Sequence, residues 1–171
     1  MPGKFEILFR LVLSVILGGL IGIEREKKKK EAGFKTHMLV CLGSALIILT
    51  SFYVFDIYKD KTTIDPGRIA AGVITGIGFL GAGTIIFHKG TVKGLTTATT
   101  IWVVACIGLG IGLGYYKLSV ISAIGVLFVI VVLKHIENNA LDRKYSHCIE
   151  IKYDRSENKF IREIKKLLKK K

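Results

Sequence analysis

Cysteine is sparse and scattered: Cys41, Cys106 and Cys148 lie far apart, with no CxxC pair and no Cys/His cluster. That pattern supports neither a disulfide framework nor a zinc site. Acidic residues are also few, 13 against 26 Lys and Arg, for a formal net charge of +13. Such an excess ordinarily points to nucleic acid or to an anionic surface. Exposed aromatics interleaved with the basic residues, on which bases would stack, are lacking, so nucleic acid is not an expected partner. A clustered nucleophile and base is absent too, and the expectation is that the chain is not an enzyme and holds no cofactor. The first apolar run lacks both a basic leader and a small-residue cleavage site, so it reads as a retained span rather than a signal peptide.

Apolar length is what the chain has. Half of its residues are hydrophobic, and the mean hydropathy is +0.47. The runs Leu11–Ile23, Met38–Val54 and Ile69–Phe87 sit between charged segments, and Ile101–Leu133 is long enough for two spans with a hinge near Tyr115–Lys117. A spanning helix needs about 20 residues, so the first run borrows from Phe5–Arg10. The expected fold is an all-α polytopic membrane protein: five transmembrane helices over residues 1–136, then a short basic β-α tail over 137–171. In that tail Ile149, Ile151 and Tyr153 alternate as on a strand, and Lys159–Leu168 is amphipathic as in a helix. Basic residues cluster in Glu24–Lys35, in the turn Lys89–Lys93 and in the tail, together 20 of the 26. Five spans place all three clusters on one side, which the positive-inside rule makes cytoplasmic, with the N-terminus outside.

Candidate functional residues gather at the span ends. Glu24, Arg25 and Glu26 close the first span; they are either a solvated end beside lipid-contacting Lys27–Lys30 or a cation or partner site. Thr36 reads as the N-cap of the second span, and His37 as either a proton-responsive group there or a simple hydrogen-bonder. Asp65 suits the N-cap of the third span and Pro66 its first position. Arg68, one turn in, is either a functional charge or a snorkelling anchor. Lys93, Thr96 and Thr97 open the fourth span. Glu6 and Arg10 have the i,i+4 spacing of a helix ion pair, and the loop acids Asp56, Asp60 and Asp65 offer oxygens of the kind magnesium takes. Gly76, Gly78, Gly81 and Gly83 make the third span the expected packed centre, with further small-xxx-small pairs at Gly18/Gly22, Gly108/Gly112 and Gly110/Gly114. Gly76-x-Gly78-x-x-Gly81 matches a dinucleotide fingerprint as a string, but it lies inside a span-length apolar run and not at a strand-to-helix turn.

The blocks GLIGIERE, GFKTHMLVCLGSAL, DPGRIAAGVITGIGFLGAGTII and VKGLTTATTIW resemble the MgtC/SapB family of bacterial inner-membrane proteins, over about Leu11 to Leu133. The resemblance implies five spans, a role in adaptation to low magnesium and, in some members, survival inside host cells. Members similar to this chain are associated with inhibition of the rotary ATP synthase. Long members carry a complete cytoplasmic domain after the last span, where this chain has a single strand and helix. Lys35 and Lys93 also stand where many members have arginine. Two functions are expected: a regulator of other membrane complexes such as the ATP synthase, or a transporter or channel for magnesium or another small ion. A homodimer through a glycine face is a further expectation; any metal site is unassigned.

Overall fold

The computed structural model describes residues 2–60, 65, 67–88 and 90–133. The expected strand and helix of the tail, Cys148, Pro66 and Lys89 lie outside them. The order is α1 Lys4–Lys27, α2 Phe34–Tyr58, α3 Gly67–Gly83, a hairpin of β1 Ile86–His88 and β2 Thr91–Lys93, α4 Leu95–Leu113, α5 Tyr116–Phe128, and a π-turn Val129–Leu133. Three of the helices, α1, α2 and α4, are long and apolar enough to cross a membrane; α3 and α5 are shorter apolar helices.

Element boundaries follow from local chemistry. Helix α1 ends in a Schellman motif: Lys29 takes a left-handed φ of 49°, Lys30 N–H donates to Arg25 O and Lys29 N–H to Glu26 O. At the end of α4, Gly114 adopts φ 87° and Tyr115 N–H donates to Gly110 O, which turns the chain into α5. Asp65 opens α3 as expected, its Oδ1 accepting from Gly67 N–H at 2.8 Å. Thr36 does not cap α2. That helix starts two residues earlier, at Phe34, whose N–H donates to the Glu26 carboxylate at 2.7 Å.

The third apolar run does not continue as helix to Phe87. Beyond Gly83 the Thr84 hydroxyl donates back to Gly81 O at 2.8 Å, and β-branched residues take over. Ile86 pairs with Lys93, Phe87 with Val92 and His88 with Thr91 in an antiparallel ladder. Gly94 then sits so close to Thr84 that an added Cβ would lie 1.9 Å from its carbonyl oxygen, at a φ of 91°; only glycine fits. A small two-stranded sheet therefore interrupts the expected all-α domain.

The packed centre is α2, not α3. Leu17 and Ile21 of α1, Cys41 of α2 and Val104, Ile107 and Ile111 of α4 form the buried core. Cβ atoms built on Gly18 and Gly22 would meet His37 O and Phe34 Cα, both at 2.7 Å. Those on Gly108 and Gly112 would meet Cys41 O at 2.3 Å and Ile48 Cγ2 at 2.1 Å. Two i,i+4 glycine pairs thus bring both α1 and α4 close against α2, as in small-xxx-small contacts. Of the four α3 glycines, Gly81 alone packs, 3.5 Å from Ala98; Gly76, Gly78 and Gly83 face open space. Helix α3 has Phe79 82% exposed and a cleft of about 550 Å³ between itself and α2. Glycine density in sequence did not reveal which glycines have a neighbour.

Gly112→Val should destabilise the fold by about 1–3 kcal/mol or more, the range for overpacking. Gly76→Ala should change stability by less than about 0.5 kcal/mol, as at an open surface site. Thermal unfolding in detergent, followed by size-exclusion of a fluorescent fusion, checks both.

Candidate functional site

A polar cluster lies where the C-terminus of α1, the N-terminus of α2 and the N-terminus of α4 meet. Helical periodicity turns Arg25 inward, and it is 3% exposed. Its Nη2 donates to the Thr97 hydroxyl at 2.7 Å. Thr97, 1% exposed, donates in turn to the Glu31 carboxylate at 2.9 Å. One turn further along α4 the Thr100 hydroxyl donates to Thr97 O at 2.8 Å and lies 3.4 Å from His37 Nε2. His37, fully buried, places Nδ1 2.8 Å from Gly33 O. Because a carbonyl can only accept, Nδ1 carries a proton.

The neighbouring acids do structural work. Glu26 caps α2, and Glu24 pairs with Lys28 one turn on. Lys28 Nζ also donates to Ile130 O at 3.4 Å, tying the end of α1 to the π-turn after α5. Glu31 sits in the connection between α1 and α2. Hydrogen bonds from its own backbone N–H and from Thr97 hold its carboxyl below the ordinary value of 4.5.

Of the residues expected at the site, Arg25, His37 and Thr97 come together, with Glu24 and Glu26 at the edge. Thr36, Lys93 and Thr96 are exposed at the same end. Asp65 and Arg68 do not join them. Gly81, near the C-terminus of α3, packs on Ala98 near the N-terminus of α4, which leaves the start of α3 about 20 Å away at 1.5 Å per residue. Glu31, at the end of the run KKKKE, carries no sequence signal of its own, whereas Thr100 belongs to the threonines at 96–100 that by sequence cap the fourth span or hydrogen-bond across helices.

The opposite end has its own tie. Arg10 Nε donates to the Tyr116 hydroxyl at 3.0 Å, Nη1 to Gly112 O and Nη2 to Glu6. The Glu6–Arg10 pair read from spacing is thus one edge of a junction among α1, α4 and α5. Tyr116 had no sequence signal beyond its place after a glycine hinge. Asp56, expected in the acidic loop, lies in the last turn of α2 and accepts from Lys59 at 2.8 Å; no group of three metal-ligating side chains occurs among the described residues.

The MgtC family model matches residues 11–139. The chain belongs to the MgtC family. It is 42% identical over 142 residues to "Putative magnesium transporter YhiD" of Escherichia coli, covering 82% of this chain and 66% of that protein. It is 40% identical over 130 residues to "Protein MgtC" of Salmonella typhimurium, covering 76% of this chain and 53% of that one. An uncharacterized Haemophilus influenzae protein is 38% identical over 130 residues. The chain therefore spans between about half and two thirds of the length of these relatives. No solved structure matches. Family membership and the apolar helices make this a membrane protein.

Glu26→Ala should cost about 1 kcal/mol, the worth of a helix N-cap, and Glu24→Ala less, as a surface ion pair does. Glu31 adds a pH signature. Its folded pKa lies below 4.5, so the stabilisation from its charged form is full above that value and fades as pH falls through the lower folded one. Wild type and Glu31→Gln should differ in melting temperature by a constant amount near neutral pH and converge in acid.

Proposed function

We propose that the chain is a multi-pass inner-membrane regulator, not an enzyme, that adjusts other membrane complexes during adaptation to low magnesium, the rotary ATP synthase being the first partner to test. The observation that carries this reading is the distribution of charge. Every described acidic side chain sits in a first or last helical turn or in a connection: Glu6, Glu24, Glu26, Glu31, Asp56, Asp60 and Asp65. The centre between α1, α2 and α4 packs apolar side chains and buried serines around close glycine contacts and holds no described acid, whereas a cation path ordinarily has an acid at membrane depth. The long exposed face of α3 offers area for contact with another membrane protein or with a second copy of the chain. The reading includes five crossings with the N-terminus outside, because the lysines at 27–30, 35 and 93 then share the cytoplasmic side. It requires no cofactor.

A second reading, transport of magnesium or another small ion, is favoured by the name of the Escherichia coli relative and by the glycine-lined cleft between α2 and α3. Ion flux in proteoliposomes separates the two. The regulator reading expects magnesium, proton and potassium flux equal to that of empty liposomes, together with slower ATP-driven proton pumping in inverted vesicles containing the protein. Selective magnesium flux abolished by a substitution lining the cleft, such as Gly76→Leu, would establish the transporter.

A further inference from the structure

Arg25 is a buried cation that makes no direct ion pair among the described residues; the carboxylates of Glu31 and Glu24 act on its charge without touching it. Among the described residues it makes one hydrogen bond, to the neutral Thr97 hydroxyl, and its buried Nε has no partner. Charges taken out of water at this depth are ordinarily paired and hydrogen-bonded. The side chain is aimed at the start of a helix. Thr97 is the third residue of α4, a helix of 19 residues whose N-cap, Gly94, supplies no side-chain cap. The first intrahelical bond is Ala98 N–H to Gly94 O. The N–H groups of Leu95, Thr96 and Thr97 are therefore left facing the same end, where the helix dipole is positive.

We infer that Arg25, Thr97 and the first turn of α4 form a binding site for a phosphate group, carried by a lipid headgroup or free in solution. A guanidinium fork, a hydroxyl and uncapped helix amides together are the donor set that suits a tetrahedral oxyanion. The position of one oxygen is already marked: Glu31 Oε2 accepts from the Thr97 hydroxyl at 2.9 Å. The chain's own carboxylate thus holds part of the site through Thr97, without direct contact to the guanidinium, and a phosphate oxygen takes its place on Thr97 when bound. Lys27–Lys30, Lys35 and Lys93 at the same end raise the local anion concentration. This site serves a regulator or a carrier equally, so it stands apart from the functional reading.

The full chain is purified in lipid-free detergent and titrated with inorganic phosphate by calorimetry. It is also placed in nanodiscs of phosphatidylglycerol or phosphatidylcholine, with retained lipid counted by native mass spectrometry. Binding of one phosphate in detergent identifies a soluble source; selective retention of phosphatidylglycerol without phosphate binding identifies a lipid. Either supports the site if Arg25→Gln and Thr97→Val weaken it by about tenfold or more, the worth of a charge-assisted hydrogen bond. Glu31→Gln is the decisive variant. Glu31 is exposed, so its loss leaves the core intact, and removing a competing carboxylate should tighten binding severalfold. If Arg25→Gln does not fold, Thr97→Val and Glu31→Gln carry the comparison. Absence of phosphate and of retained phosphatidylglycerol in both wild type and Glu31→Gln, or weaker binding by Glu31→Gln, overturns the inference.

Discussion

The structure depends on how closely α2 is held between α1 and α4. In a bilayer, lipid tails are as apolar as the side chains, so helices associate through van der Waals contact and interhelical hydrogen bonds, not through release of water. Contact of that kind grows with close backbone approach. Gly18 and Gly22 on one side and Gly108 and Gly112 on the other remove the side chains that would hold the backbones apart. The contacts they allow, with Phe34, His37, Cys41, Ala45 and Ile48, run along most of α2.

The polar cluster is a consequence of that approach. His37 can be fully buried only because Gly18 lets α1 come up to its carbonyl, and Thr100 meets its ring from α4. Arg25 reaches Thr97 across the same junction. A buried network of this sort rigidifies a helix junction if every member is satisfied; here the unpaired Nε of Arg25 is the exception. At the opposite end Arg10 uses all three of its guanidinium nitrogens on Glu6, Gly112 and Tyr116. The two arginines near the ends of α1 thus differ: Arg10 engages all three nitrogens, whereas Arg25 leaves its Nε without a partner among the described residues.

Helix α3 and the hairpin are the loosely held part of the molecule. Helix α3 packs mainly on α4, and its other faces are open. The hairpin exposes Phe87 by 73% beside the exposed Lys93, an apolar and a basic residue at the end where the lysines collect. Lys35 and Lys93 are both exposed, outside the buried hydrogen bonds where a guanidinium fork and an ammonium differ most.

Apolar run length and charge placement by themselves determined the number of helices, their approximate limits, the Asp65 cap of α3 and the glycine pairs Gly18/Gly22 and Gly108/Gly112. These are local properties, set by period, spacing and capping chemistry within one segment. The tertiary structure decided which glycines are contacts and which are bare, because a missing side chain matters only where another helix arrives. It decided that Thr97 and Thr100, among four similar threonines, face inward, and that Glu31 joins Arg25 while Asp65 and Arg68 lie at the far end. It also ended α3 early in favour of the hairpin, through the approach of Gly94 to Thr84. None of these is written within a single segment; each is set by which helices are neighbours and at what rotation, and in a bilayer close packing fixes both.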